Sequence, residues 1–541
     1  MPTTVETQRG STAVERASAG SSPATTVNLS QRVDRALKHA VPVATGLVAI
    51  GVILRFVAPS QLWLDEALSV NISKLPLGQI PGALRHDGAP PLYYVMLHFW
   101  MLAFGEGNFA VRALSGLMSV AALPLAWLAG KRLGGRRLAW ASLLLLASSP
   151  FAINYATSAR MYTLLTVWTL LGFLALTRAL ERPTLQRLVP VSLLSAAIVY
   201  THYWGIYVVA IAALWLLLHA RGLKRTPAGD EGDAARRANW SCFLAVVAGG
   251  LAFLPWLPSF VFQMLHTGTP WSNAAGLGDI LTVLSEYSGG GPWGAALALS
   301  LFTVVLLGVF GESTDGRHVL VTLNPRAKSR PLAFVFMGTL LMAVACGAVA
   351  QAAFVGRYTA VVFPLFILLA ALGITVLPDR RVLAAVLAWV TCAGLICGIG
   401  ANLTLRTQAG SVASVINKVA SPNDVVLYCP DQLGPAASRL VTAHVQQYTF
   451  PLANPPQRIN WVNYRHEIHI TNVEQFADQI LTAAAGHDIW FVENPNYPGT
   501  EHKCTQLMNW LTTKRPNTQV WVAASPGSYK YENESLIRFP E

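Results

Sequence analysis

Two adjacent acids, Asp65 and Glu66, follow directly on an apolar run at 36–58, in a chain with only 27 Asp and Glu among 541 residues. An ionisable pair at the mouth of a membrane span is costly to place without a task. A carboxylate there can act as a general base, taking the proton of an attacking hydroxyl. The pair can also hold a divalent cation. The plain alternative is a helix start whose dipole is complemented by acid, but one acid suffices for that. His86 and Asp87 precede Gly88-Ala89-Pro90-Pro91-Leu92-Tyr93-Tyr94 and add a third carboxylate to the same loop. They are acceptor-side or loop candidates, since Asp-Gly and Pro also make an ordinary turn. Arg160 with Tyr162, and Arg357 with Tyr358, repeat one pairing far apart in the chain. The guanidinium fork donates two parallel hydrogen bonds to phosphate oxygens. The alternative is an arginine snorkelling at a helix end. His202, inside Tyr200–Trp204, supplies a further donor near such a phosphate. The aromatics around it, with Trp256, Trp271 and Trp293, read as an interfacial belt.

These residues need elements to hold them, and composition says which. The chain is 53% hydrophobic and 12% charged, about half the charge of a soluble protein. It is a polytopic membrane protein. The net charge of +12 is not a nucleic-acid signature. Residues 403–541 hold 10 Lys and Arg against 11 Asp and Glu, so the excess lies in the apolar part. Runs long enough to span a bilayer occur near 36–58, 109–130, 137–153, 160–180, 186–202, 204–220, 238–258, 293–311, 331–353, 357–377 and 380–400. Basic clusters at Lys131–Arg137, Arg178–Arg187, Arg221–Arg237, Arg317–Arg330 and Arg380-Arg381 mark alternate connections as cytoplasmic. The loop 59–90 and the motifs around Arg160, His202 and Arg357 then fall outside. The run 91–105 is read as a juxtamembrane or re-entrant helix, because a crossing there would invert every later loop.

Residues 1–35, rich in Ser, Thr and Ala, read as a disordered cytoplasmic tail. The apolar part, 36–402, is followed by an α/β domain at 403–541. Its strand-like runs are Asp424–Tyr428, Asp488–Val492, Gln519–Val522 and Ser535–Arg538, with helical patterns at 433–446 and 473–485. Cys429 and Cys504 lie in that part, either bridged in an oxidising compartment or as two buried thiols. No Gly-rich nucleotide loop, Cys/His metal spacing or Ser-His-Asp arrangement is present. A sugar donor would have to arrive through the lipid.

Leu64-Asp65-Glu66-Ala67, Asp87–Tyr94, Phe109–Leu114, Ala159–Tyr162 and Gly356–Tyr358, in this order, resemble the GT-C polyprenyl-phosphate-sugar glycosyltransferases. That superfamily includes the protein O-mannosyltransferases and the lipid A aminoarabinose transferase, and the actinobacterial polyprenyl-phosphate-mannose-dependent enzymes look most similar. The resemblance covers about 36–380. It implies a GT-C fold with about 11 spans and juxtamembrane helices in the first outer loop. It implies inverting transfer of a sugar, mannose in the nearest group, from a polyprenyl-phosphate donor outside the cytoplasmic membrane. The acceptor would be a cell-envelope glycolipid, polysaccharide or protein. Asp65 matches the family's base, Glu66 its acidic neighbour, and Arg160, Arg357 and Tyr358 positions near the donor phosphate. No cofactor is implied. Many relatives have His immediately before the Pro-Pro pair, whereas this chain has Ala89, so phosphate contact falls to the arginines, His86 or His202. The alternatives are arabinofuranosyl transfer and a lipid-linked-sugar transporter. A transporter would carry charges within its spans and an inverted repeat, and neither is seen.

Overall fold

The computed structural model describes residues 41–222, 230–268, 275–314, 317–350, 352–494 and 497–541. The N-terminal tail, Lys224, Arg225 and Trp271 lie outside them. By internal contacts the chain divides into Met1–Gly46 and Leu47–Glu541, and the second unit holds every candidate site residue.

Each of the eleven predicted apolar segments contains a helix among its described residues. Among the described residues, seven helices are long and apolar enough to cross a membrane. The first apolar helix is α1, Val41–Leu54. The first outer loop folds as α2 (Leu64–Ser73), α3 (Ile80–Asp87) and α4 (Leu92–Phe104). The 13 residues of α4 reach about 20 Å, short of a hydrocarbon core of about 30 Å. Tyr93, Tyr94 and Leu97 are buried while Phe99, Leu102 and Phe104 are exposed, as a juxtamembrane helix requires. The next helix, α5 (Asn108–Ser148), has 41 residues but breaks at Gly134 and Gly135, the latter at φ 82°. Glycine takes that conformation without strain. The break separates the two expected spans at the basic connection Lys131–Arg137. There Arg132 meets Glu181 at 2.6 Å, and Arg187 meets the same acid at 3.7 Å. Two of the basic connections therefore share one end of the bundle. Helices Gly291–Phe310 and Phe363–Val376 touch through Gly308 and Gly373, where a Cβ on either would run into the other's backbone, the close approach that small residues allow.

After a short hairpin of β1 (Gly311–Ser313) and β2 (Val319–Val321) and the last apolar helix, Arg380–Leu403, the chain turns to sheet. Strand β3 (Leu405–Thr407) pairs in parallel with β8 (Tyr529–Glu532). A five-stranded mixed sheet has the order β5-β4-β6-β9-β7. Its members are β4 (Val425–Cys429), β5 (Gln446–Thr449), β6 (Ile489–Glu493), β7 (Gln519–Val522) and β9 (Ser535–Phe539). The four predicted strands are all present. The helix expected over 433–446 is not: only Gly434–Ser438 is α-helical. Asn417 accepts hydrogen bonds from the Thr442 and Ala443 amides, and the chain runs on as β5, parallel to β4. The apolar residues of that stretch, Leu433, Ala436 and Ala437 and then Leu440, Val441 and Val445, pack in or against the core ahead of the edge strand.

The core under β4 and β6 also takes in Leu64 and Leu68 of α2, so the sheet part and the first outer loop bury one another. Cys429 and Cys504 form a disulfide across 75 residues. Closing a loop of that length stabilises by about 4 kcal/mol in the chain-entropy view. Cys504→Ser is expected to lower the melting temperature of the purified protein and speed proteolysis of 403–541, read by limited trypsinolysis.

Candidate active site

Although adjacent in sequence, Asp65 and Glu66 face different partners because successive residues on a helix point about 100° apart. Glu66 is fully buried. Arg112 grips it with a fork, Nε to Oε1 at 2.8 Å and a terminal nitrogen to Oε2 at 2.7 Å. Arg406 adds a contact at 3.3 Å, and the Ala159 amide donates at 2.9 Å. Burial alone would raise the pKa of Glu66. Arg112 and Arg406, with the hydrogen bonds from Arg112 and Ala159, outweigh it and hold the carboxyl at about 2. Glu66 is a fixed anion that ties α2 to α5 and to the backbone just ahead of Arg160. The two carboxylates do not converge on a common point.

Asp65 turns the other way. Its Oδ2 lies 3.5 Å from Arg357 and 4.0 Å from Arg160 Nε, yet accepts no hydrogen bond from the protein. Arg160 is aimed by hydrogen bonds to the Asp65 carbonyl at 3.2 Å and to Ser69 Oγ at 2.9 Å. Its Nε is buried with no acceptor. Arg357 sits on the 3-10 turn Gly356–Val361, with Trp63 and Tyr358 rings 5.9 and 5.5 Å from its guanidinium carbon. Two guanidiniums around one carboxylate leave an excess positive charge, suited to an anion. The Tyr162 hydroxyl is buried beside them without a hydrogen-bond partner.

His202 packs against Tyr358 at 4.8 Å between ring centres and against Tyr162 at 6.3 Å. Burial, then Arg160 and Arg357, lower its pKa to about 3. It is therefore neutral at physiological pH, and because Nδ1 accepts the Trp204 amide, Nε2 carries the proton. Asp87 accepts from the Tyr94 hydroxyl at 3.0 Å. Burial raises its pKa, Arg160 and Tyr94 pull it down, Asp65 pushes it up, and the balance is upward. His86 stands apart from this cluster, exposed and paired with Asn460 at 3.0 Å. The belt reading fails for Trp256, which is buried and donates to Tyr203; Tyr203 in turn bonds Gln263, which donates to the Leu84 carbonyl. Trp293 is exposed, as the belt reading expects.

Sequence reasoning missed the groups that the sheet part sends to α2. Glu532 Oε1 accepts the Leu64 amide at 2.8 Å, and Tyr531 stacks on Trp63 at 4.0 Å. Burial raises Glu532 to about 8 against the pull of Thr407 and Leu64, with Asp65 and Glu66 adding to the rise. Arg112 lay within a quoted motif, Phe109–Leu114, and a buried arginine in an apolar run was the available signal. Arg406 and Glu532 carry no such signal. Among the described residues, no group of three or more His, Cys, Asp or Glu is arranged to hold a metal ion.

A family model described as dolichyl-phosphate-mannose-protein mannosyltransferase matches residues 88–228, which include Arg112, Arg160, Tyr162 and His202. The crystal structure of ArnT from Cupriavidus metallidurans bound to undecaprenyl phosphate is 13% identical, with a TM-score of 0.55 over 92% of this chain and 98% of that one. The apo state of the same protein matches with the same values. The oligosaccharyltransferase of Archaeoglobus fulgidus, in complex with Zn and sulfate, is 11% identical with a TM-score of 0.47, over 83% of this chain and 67% of that one. No curated protein matches in sequence. Matched over residues 88–228 by the mannosyltransferase family model, this multi-pass membrane protein shares the fold of ArnT along nearly its whole length.

Proposed function

We propose that this chain transfers a sugar, mannose, with inversion from a polyprenyl-phosphate donor to a hydroxyl of a cell-envelope acceptor, on the outer face of the cytoplasmic membrane. The observation that carries this reading is the Asp65 oxygen, free of hydrogen bonds between two arginines. ArnT, whose fold the chain shares, was crystallised with undecaprenyl phosphate. The placement of basic connections supports the orientation, with the C-terminal sheet outside. The donor's phosphodiester lies against Arg160 and Arg357, with Tyr162, Tyr358 and the neutral His202 as further donors. Asp65 takes the acceptor hydroxyl proton as that oxygen bonds to the anomeric carbon. The bond from that carbon to the phosphate oxygen breaks, and its electron pair leaves with the phosphate, where the arginines stabilise it. One base suffices, since the leaving phosphate needs no proton. Glu66 is a positioning residue in this scheme, and Asp87 and His86 lie on the acceptor side.

The test is transfer of label from radiolabelled polyprenyl-phosphate mannose into envelope material by membranes carrying the protein. Labelling that does not depend on this protein overturns the reading; transfer from the arabinose donor alone replaces mannose with its rival. Arg357→Ala is expected to weaken donor use by one to two orders of magnitude, the worth of a charge-assisted hydrogen bond, with little change in acceptor dependence. A donor KM within twofold of wild type would leave Arg357 as a membrane anchor.

A further inference from the structure

A cavity of about 1290 Å³ opens between α2 and α3 on one side and the sheet-bearing part on the other. Asp65, Arg160 and Arg357 are not in its wall, but Asp87 is, and Asp87 feels the charges of both Arg160 and Asp65. Asn71 also lines it, six residues beyond Asp65 on α2, hence about 9 Å further along that helix. Asp87 and α2 therefore connect the wall of the cavity to the Asp65 cluster. The cavity's charged residues, Lys74, Asp87, Glu106, Arg439 and Arg458, carry both signs. Lys74 meets Glu106 at 2.9 Å, and Arg439 donates to Asn71 Oδ1 at 3.1 Å and to the Glu106 carbonyl at 3.2 Å. Such a wall does not select a phosphate. It is instead rich in side-chain amides, among them Gln79, Asn454 and Gln457. Each amide presents donors and an acceptor together, which matches neighbouring hydroxyls on a sugar. The volume exceeds the 300–1,000 Å³ or so of a site for one small molecule.

We propose that this cavity binds the neutral oligosaccharide portion of the acceptor, behind the sugar whose hydroxyl meets Asp65. The proposal rests on the glycosyltransfer reading and names its acceptor class as a glycan of at least two sugars. Gly82 of α3 lines the cavity, and a Cβ built on it meets nothing within 4 Å. Gly82→Trp thus fills the space without touching the Asp65 cluster and replaces a poor helix former.

The experiment presents full-length detergent-solubilised protein to an array of neutral oligosaccharides, acidic oligosaccharides and serine- and threonine-containing peptides. Undecaprenyl phosphate binding is measured separately. Wild type is expected to retain neutral oligosaccharides of two or more sugars. Gly82→Trp should lose at least tenfold in that binding with undecaprenyl phosphate unaffected. Retention of the oligosaccharides by Gly82→Trp, absence of neutral glycan binding by wild type, or preference for acidic glycans or peptides each overturns the proposal. Failure of wild type to bind undecaprenyl phosphate overturns the donor reading instead, and leaves the glycan result standing alone.

Discussion

Asp65→Asn is expected to cut sugar transfer by roughly 10²–10⁴-fold, the usual contribution of a positioned general base. Asparagine keeps the size of the side chain and cannot take the acceptor proton. The neighbouring guanidiniums lie 3.5 and 4.0 Å away, and with the carboxylate gone their charge is no longer offset. Donor phosphate should therefore bind as tightly as in wild type, or more so. The expected signature is a collapsed kcat with a donor KM that does not rise. The melting temperature should stay close to wild type, because the oxygen facing the arginines accepts no hydrogen bond from the protein. Turnover above a tenth of wild type would remove Asp65 from the proton-transfer step.

Glu66→Ala produces the opposite pattern. It leaves Arg112 and Arg406 buried, with side-chain exposures of 6% and 4%, without the anion that both face. Breaking a buried pair from one side costs about 3–5 kcal/mol. The expected result is a protein that melts well below wild type or fails to accumulate, with activity lost in proportion to folded protein. Stability against pH provides a second readout. The folded pKa of about 2 lies below the ordinary 4.5, so the stabilisation is fully present above the unfolded value. It is lost as pH falls through the range between them. The shift corresponds to roughly 3 kcal/mol. Wild type should show no contribution from this group to stability changes above pH 6, and a Glu66→Gln protein should lose less on acidification from pH 5 to pH 3. Equal acid sensitivity in the two proteins would contradict the buried-pair account.

The helices were legible because apolar length and basic connections are local properties of sequence. The short fragment 91–105 was also legible, since its proline start and glycine end limit α4 whatever surrounds it. Asp65, Arg160 and Arg357 could be grouped because a membrane sorts residues into layers, and those three belong to one. Partner choice within the layer was not legible. Glu66 finds Arg112 at 46 residues' distance and Arg406 much further on, and nothing periodic connects them. The division of labour between the two acids follows from helix phase and from those partners. The strand at Gln446–Thr449 was hidden for a related reason: an edge strand needs only one neighbour, and Gln-Gln-Tyr-Thr fits the end of a helix as well as the edge of a sheet. Only the parallel pairing with Val425–Tyr428 decides between them.

The contact between Leu64 and Glu532 spans 468 residues, which sets a schedule for biosynthesis. At about 5–20 residues per second, the helix bearing Asp65 leaves the ribosome roughly half a minute to a minute and a half before its cap is made. Arg406, the second cation on Glu66, is also synthesised late. Through that interval the helix is inserted beside the membrane with its amino terminus open and its buried acid half-neutralised. A nascent chain stopped between Arg406 and Glu532 carries Arg112, Arg160, Arg357, Arg406 and the base, yet lacks the piece that holds them in register. Assembly of the reaction centre thus waits for the sheet to fold, and truncated products remain inert at the membrane surface.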